Sequence, residues 1–546
     1  MHARKLYARK PGDLRVGRQW LDQRPASGRP KGPKPMMHDP EKSDAPIRAK
    51  KPTNASAQAG GEPVEQRGAT EGNASQASMC RVQNRESMPS GEERVRRAAK
   101  ERKEERFTAL LHHVDVAALH AAYCALKRDA AAGVDGVSWQ DYGRDLETRL
   151  QDLHGRVHRG AYRAQPSRRS YIAKPDGRRR PLGIAALEDK IVQGAVVRVL
   201  NAIYEEDFLG FSYGFRPGRS QHDALDALAT GLIQRKVNWI LDADIRSFFD
   251  TVSHDWLIGF VEQRVADGRI IRLIRKWLRA GVLEEGVWLD SPQGTPQGAV
   301  ISPLLANIYL HYVLDRWAQD WRQTCARGDF IIVRYADDVV VGFQHRTDAE
   351  RFLAEMRQRL EKHNLTLHPD KTRLIEFGRF AAERRRARGQ GKPETFNFLG
   401  FTHIAGHNRR GGFQLKRRTR RDRKRARLRA IKDKLKALRH APVAEQGSWL
   451  GQVVRGYFNY HAVPTNLHTL WSFLGDVRRL WWQALRHRSQ ADRTSWAKLD
   501  TLAERWLPKP VILHPWPDAR FARRKHLRWE PGAVVPLAGF CAGGAQ

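Results

Sequence analysis

The chain has 546 residues, more than one hydrophobic core organises, so two or three domains are expected. Lys and Arg number 97 against 60 Asp and Glu, a formal net charge of +37. Self-repulsion on that scale calls for a polyanionic partner, and electrostatically an anionic membrane surface would serve equally well. No apolar run approaches the roughly 18 residues of a spanning helix, which argues against a membrane protein. Cys80, Cys124, Cys325 and Cys541 lie far apart with no C-x-x-C pair; that excludes a zinc ribbon or disulfide framework and fits a reducing cytoplasm.

Residues 1–95 are rich in Gly, Pro, Ser, Ala and charge. A stretch such as KKPTNASAQAGGEPVEQRGATEGNASQAS cannot bury enough surface to offset its chain entropy, so a disordered basic extension is predicted. GEERVRRAAKERKEER (91–106) reads as a solvated helix leading into a folded region near Phe107. From there to about 410, strand and helix patterns alternate, a mixed α/β organisation.

In NWILDADIRSFFDTVSH (238–254), WILDADI alternates as a strand, with Asp242 and Asp244 on one face. Asp250 suits a turn or a helix cap. SPLLANIYLHYVLDRW predicts a helix with Ser302 as N-cap and Pro303 at the first helical position. Its Leu305, Ile308, Tyr309, Tyr312 and Val313 then face a core. VRYADDVVV (333–341) reads as a buried hairpin with Asp337 and Asp338 at its tip. RTDAERFLAEMRQRLEKHNL places Thr347 and Glu350 at capping-box spacing, followed by a helix face of Phe352, Met356 and Leu360.

Beyond 415 the chain turns to basic, tryptophan-containing helices. KRRTRRDRKRARLRAIKDKLKALRH (416–440) has fourteen Lys or Arg against two Asp. Leu428, Ile431, Leu435 and Leu438 recur at helical spacing, so an apolar stripe packs inward while charge faces phosphates. Trp449, Tyr457, Tyr460, Trp471, Trp481 and Trp482 are either core aromatics or platforms for unpaired bases.

The acids carry the chemistry. Carboxylates in or near an apolar core cost several kcal/mol unless they are paired or bind metal. A strand-end Asp beside a hairpin-tip Asp-Asp is the donor set that two-metal phosphoryl transfer needs, with two Mg²⁺ ions roughly 3.5–4 Å apart.

Taken together, these motifs resemble those of bacterial group II intron-encoded reverse transcriptases with maturase activity. RYADD is similar to the Y-x-D-D box, DADIRSFFD to motif A and GTPQGAVISPLLANIYL to motif B. HPDKT is similar to motif D and FNFLGF to the primer-grip motif E, all in the family's order. Upstream, AAAGVDGVSWQDY, YIAKPDGRRRPLGIAALEDKIVQ and IYEEDFLGFSYGFRPGRSQHDAL resemble the fingers motifs. GYFNYHAVPTN and LRHRSQ resemble the maturase region, domain X. The resemblance covers roughly 107–500.

The resemblance implies an α+β right-hand polymerase: fingers over 96–235, a palm with an antiparallel sheet over 236–410, and a helical thumb/maturase domain over 411–500. A disordered extension would precede them, and a short tail over 501–546, without an endonuclease module, would follow. LPKPVILHPWPDARF offers no metal-ligand set, so no second-strand cleavage is expected and priming would use existing DNA ends. The implied activity is RNA-directed DNA synthesis with two Mg²⁺ ions, together with binding of intron RNA to assist splicing and mobility. The implied partners are group II intron RNA, an RNA template with a DNA primer, dNTPs and target DNA, in a bacterial cytoplasm and at the nucleoid.

Carried over by position, Asp244 and Asp337 correspond to direct metal ligands, and Asp338 to the acid that helps hold metal or primer end. Phe249 corresponds to the aromatic gate that clashes with a ribose 2′-OH. Gln297 corresponds to a contact with incoming nucleotide, with Gly294 and Gly298 permitting close backbone approach. Lys174 and Arg180 match cations that clamp the triphosphate, unless they merely furnish a basic turn. Lys371 either protonates leaving pyrophosphate or pairs with Asp370. RNA-contact candidates are Arg417, Arg418, Arg421, Arg425, Tyr457, Asn459, Arg486 and Arg488. Two other readings are an RNA-binding splicing factor with a silent site, opposed by the intact acids, and a diversity-generating or defence-linked transcriptase, opposed by the maturase-like segment.

Overall fold

The computed structural model describes residues 91–173, 179–295, 297–488 and 494–524. Most of the predicted N-terminal extension, together with Lys174, falls outside them. The first described element is the helix Gly91–Glu101. Its Val95 and Ala99 are buried, and it packs along the helix Leu187–Asp207. The expectation of a solvated helix is corrected: an i, i+4 pair of small apolar residues is stripe enough to dock one face.

The strands in chain order are β1 (Ser167–Ala173), β2 (Arg179–Ile184), β3 (Trp239–Asp244), β4 (Val282–Glu284), β5 (Val287–Leu289) and β6 (Phe330–Tyr335). They continue with β7 (Asp338–Phe343), β8 (Arg373–Glu376), β9 (Phe396–Phe398), β10 (Phe401–His407) and β11 (Phe413–Thr419). They form three sheets, ordered β2-β1-β4-β5, β6-β7-β3-β8 and β11-β10-β9. Pairing is antiparallel throughout these sheets, apart from the parallel contact of β1 with β4.

The β6-β7-β3-β8 sheet is covered by helices on both faces, which explains the near-continuous apolar runs of β6 and β7. Phe330 packs against Phe352 of the helix Arg346–Lys362. Its neighbour Ile331, pointing the other way, lies against Gly231 of the helix Gln221–Gln234. Phe352, Met356 and Leu360 are all buried, as their spacing predicts.

Two helix starts differ from expectation by a residue or two. Ser302 is the first residue of its helix, not its cap. The Ile301 carbonyl already accepts from the amides of Leu304 and Leu305, which makes Ile301 the capping position. Thr347 lies inside a helix that begins at Arg346 after His345. After Leu310 the chain makes one π-helical turn, His311–Asp315, before resuming as Arg316–Thr324.

A second core lies beneath the basic region. Ile431, Leu435, Leu450, Val454, Phe473, Val477 and Trp481 join the helices Arg421–Ala437, Val443–His461 and Leu467–Arg486. Of the aromatics weighed for stacking, Trp481 is fully buried, with its indole N–H on Gln446 at 3.1 Å. Trp471 is exposed. Among the described residues no helix is long and apolar enough to cross a membrane.

Candidate active site

β3 ends at Asp244, in register with Asp338, the first residue of β7. On its other side Asp338 pairs with Tyr335, the last residue of β6, so Ala336 and Asp337 form the hairpin turn. Ala336 adopts a left-handed φ of +55°, a conformation that costs a non-glycine residue about 1–3 kcal/mol and persists where surrounding structure imposes it. Antiparallel pairing thus brings Asp244, Asp337 and Asp338 to one sheet end from positions about ninety residues apart in sequence.

The electrostatics match a site short of positive charge. Burial raises the Asp337 carboxyl and Asp244 raises it further, against the opposing charges of Arg180 and Lys371. Asp338 is pushed up to about 7, first by burial, then by Asp337, Asp244 and Asp242, against Arg423. Asp338 is nevertheless exposed at the start of β7. Burial also raises Asp242, to about 6, although Arg373 stands 3.7 Å away.

The donor set fits a hard divalent cation. All donors are carboxylate oxygens, and Mg²⁺ is ordinarily held by one or two carboxylates plus waters and substrate phosphates. Among the described residues no group of three or more His, Cys, Asp or Glu side chains is placed to hold a metal ion, so the protein offers the one or two carboxylates that such a site needs and substrate would complete it. Lys371 Nζ lies 2.7 Å from Asp244 Oδ2. Lys371 therefore pairs with Asp244, not with the neighbouring Asp370 as one expectation had it.

A pH dependence follows. Asp338 has a folded pKa above the ordinary carboxylate value of about 4, so the folded state binds its proton more tightly than the unfolded chain does. In metal-free protein this contribution is fully present below about pH 4 and is lost as pH rises through about 7. Between pH 5 and 8 the melting temperature should fall less in Asp338→Asn than in wild type. Equal slopes in calorimetric scans would refute the assignment.

Beside the acids lies a second cluster. Arg180 donates from Nε to Gln297 Oε1 at 3.1 Å, and the Gly183 amide donates to the Gln297 carbonyl at 2.6 Å. Gly298, at φ +113°, lies so close to β2 that an added Cβ would meet the Gly183 carbonyl oxygen at 2.6 Å. Gly294, at φ +87°, is pressed on the Phe249 carbonyl, 2.8 Å from where its Cβ would lie. The Thr295 amide donates to that same carbonyl at 2.7 Å, and His254 Nε2 donates to the Gly294 carbonyl at 2.7 Å. Phe249 itself is partly buried against the core. Arg180, Gln297 and the backbone of Phe249 are thereby linked through one loop.

The RNA-contact candidates divide. Arg418, Arg421, Arg425, Asn459 and Arg486 are exposed and Arg488 is partly so; Arg486 lies over the Trp482 ring at 4.9 Å. Arg417 and Tyr457 are corrected. Arg417 lies on β11, almost fully buried, with Nη1 on Asp226 at 2.9 Å. A desolvated charge held by its counter-ion is not free for phosphate. Tyr457 is buried and stacked on Phe473 at 3.7 Å between centroids.

The sequence reading passed over Arg334, which stands within VRYADD, is fully buried and bonds the Ala336 carbonyl. An arginine inside an apolar strand raises the same question as the aspartates beside it, and that was the available signal.

Comparison with known proteins gives the context. The family described as "Reverse transcriptase (RNA-dependent DNA polymerase)" matches residues 172–403. The chain is 38% identical over 276 residues to protein YkfC of Escherichia coli strain K12, covering 44% of this chain and 71% of that one. It is 37% identical over 226 residues to the group II intron-encoded protein LtrA of Lactococcus lactis subsp. cremoris, covering 40% of this chain and 37% of LtrA. A solved structure of telomerase from Candida albicans, in complex with a fragment of telomeric RNA, overlays with a TM-score of 0.35 at 12% identity over 67% of this chain and 65% of that one; so loose a likeness carries no argument. The matched residues include the converging acids, the Arg180–Gln297 cluster and Phe249, and the chain belongs to the reverse transcriptase family, among the group II intron-encoded reverse transcriptase/maturases.

Proposed function

We propose that this polymerase copies group II intron RNA into DNA and binds the same RNA to assist its splicing and mobility. The supporting observation is the convergence of Asp244, Asp337 and Asp338 on one sheet end, with the proton affinities of Asp337 and Asp338 raised by burial and by neighbouring acids. Asp244 and Asp337 would hold two Mg²⁺ ions, with Asp338 supporting metal or primer end. When bound, the ions supply Lewis acidity to the attacking primer 3′-OH and the departing pyrophosphate. Lys371, which stands against Asp244, would be the cation beside the departing pyrophosphate and the group that could protonate it. Arg180 and Gln297, already bonded to each other, position the triphosphate and base. Phe249 excludes the ribose 2′-OH.

The described helices beyond 420 would form the thumb and maturase domain, with Arg418, Arg421, Arg425, Asn459, Arg486 and Arg488 lining an RNA track. Arg417 and Tyr457 are left out of it because both are buried. Location in the bacterial cytoplasm, at the nucleoid when on target DNA, completes the proposal.

The test is primer extension on an RNA template with Mg²⁺, in parallel with dNTPs and rNTPs. Wild type should yield DNA and little RNA. Phe249→Ala should raise rNTP use about 10- to 100-fold relative to dNTP, the scale on which a lost steric contact alters discrimination. No product from a folded, RNA-binding wild type would favour the splicing factor with a silent site instead.

A further inference from the structure

Arg334 is fully buried, and all five of its guanidinium N–H groups are committed. Nε donates to Asp315 Oδ1 at 2.7 Å, and Nη2 to Asp315 Oδ2. Nη2 also donates to Ser212 Oγ at 2.6 Å. Nη1 donates to Asn307 Oδ1 at 3.0 Å and to the Ala336 carbonyl at 3.0 Å. One planar group thus ties the π-helical turn, the preceding helix and the loop at 212 to the acidic turn.

The backbone repeats the tie. The Arg334 amide donates to the Phe211 carbonyl and the Tyr213 amide to the Arg334 carbonyl, both at 2.9 Å. Asn307 Nδ2 donates to the Gly214 carbonyl at 2.7 Å. Gly214 is pressed so closely on the turn that a Cβ there would stand 2.3 Å from the Ala336 amide nitrogen. The left-handed Ala336 is therefore held by Arg334 at its carbonyl and confined by Gly214 at its amide. The π-helical turn brings Asp315 inward to anchor the far end of the guanidinium, a use of helical irregularity common near functional sites.

We propose that Arg334 is a positioning residue for the acidic turn: by fixing the Ala336 carbonyl it sets the direction in which Asp337 presents its carboxylate. A buried arginine paired with one aspartate would also stabilise the fold, and lysine would then substitute tolerably. The five-donor fork is what lysine cannot reproduce. The inference rests on the polymerase reading of Asp337, and its test separates the two.

Mn²⁺ binding to the nucleotide-free protein, counted by electron paramagnetic resonance, is measured for wild type, Arg334→Lys and the apolar pair Arg334→Met with Asp315→Leu. Melting and circular dichroism establish the folded fraction. Both variants should bind Mn²⁺ about 10-fold more weakly per folded molecule, with kcat for primer extension down about 10- to 100-fold, the scale of lost ligand support. The KM for dNTP should stay within about twofold, because substrate contacts are elsewhere. Wild-type affinity and kcat in folded Arg334→Lys would overturn the inference, as would failure of both variants to fold, which would mark a structural role. No primer extension by wild type with dNTPs and Mg²⁺ would instead overturn the polymerase reading.

Discussion

Asp337→Asn is expected to reduce primer extension at least about 1000-fold, roughly 4 kcal/mol of transition-state stabilisation at about 1.4 kcal/mol per decade, while making the metal-free protein more stable. The amide has nearly the same shape but cannot supply the anionic oxygen a divalent cation requires. Its removal also relieves a repulsion: Asp337 is the first charge responsible for raising Asp338, and Asp244 in turn raises Asp337. With Asp337 neutral, Asp338 should titrate below its value of about 7, and the loss of stability between pH 5 and 8 should shrink. Activity and stability therefore move in opposite directions, as expected where a site is built at the expense of the fold. Asp244→Asn would behave differently, because it leaves the Lys371 ammonium without the carboxylate it now faces at 2.7 Å. That pair is partly exposed and contributes little to stability, and its loss is set against the relief of the repulsion Asp244 exerts on Asp337 and Asp338, so melting should rise less than in Asp337→Asn. Single-turnover extension with melting curves in the presence and absence of Mg²⁺ checks both. Asp337→Asn that keeps its activity, or that lowers metal-free stability, would sink the assignment.

The acids were legible because two negative charges between β-branched runs demand a partner, and because period-two alternation shows where strands lie. Their convergence follows from pairing: once β3 and β7 are antiparallel neighbours, Asp244 and Asp338 meet. What was missed shares one cause. Arg417 reads as one cation in a basic run, and its partner Asp226 lies 191 residues away. No window around 417 contains that information. A weaker signal did exist, since Leu415, Arg417 and Thr419 alternate as the buried face of a strand, but the density of charge concealed it. Arg334 is the same case, with Asp315 and Ser212 reaching it from separate segments. Tyr457 belongs to the core because the helix Leu467–Arg486 supplies Phe473 to stack on it. Periodicity reports which face is apolar, not which tertiary partner completes it. Buried charges are therefore where a sequence is hardest to read.

Gly298→Ala is the second large effect, expected to lower primer extension about 100-fold and to raise the KM for dNTP. At φ +113° the residue lies where side chains are strongly disfavoured, a strain of about 1–3 kcal/mol. The added Cβ would also stand 2.6 Å from the Gly183 carbonyl oxygen, and that contact cannot relax by rotating a side chain because it is backbone. The turn must move away from β2, lengthening the 2.6 Å bond from the Gly183 amide to the Gln297 carbonyl. Gln297 then draws away from Arg180, whose 3.1 Å bond to it joins two groups proposed to receive the nucleotide. A displacement of about 1 Å in a positioning group is worth on the order of 100-fold. Because the acids are untouched, Mn²⁺ binding to the nucleotide-free protein should remain within about twofold of wild type, the opposite of the Arg334 variants. A KM unchanged while kcat alone falls would show that this loop serves the chemical step, and Gln297 would lose its role in holding the nucleotide.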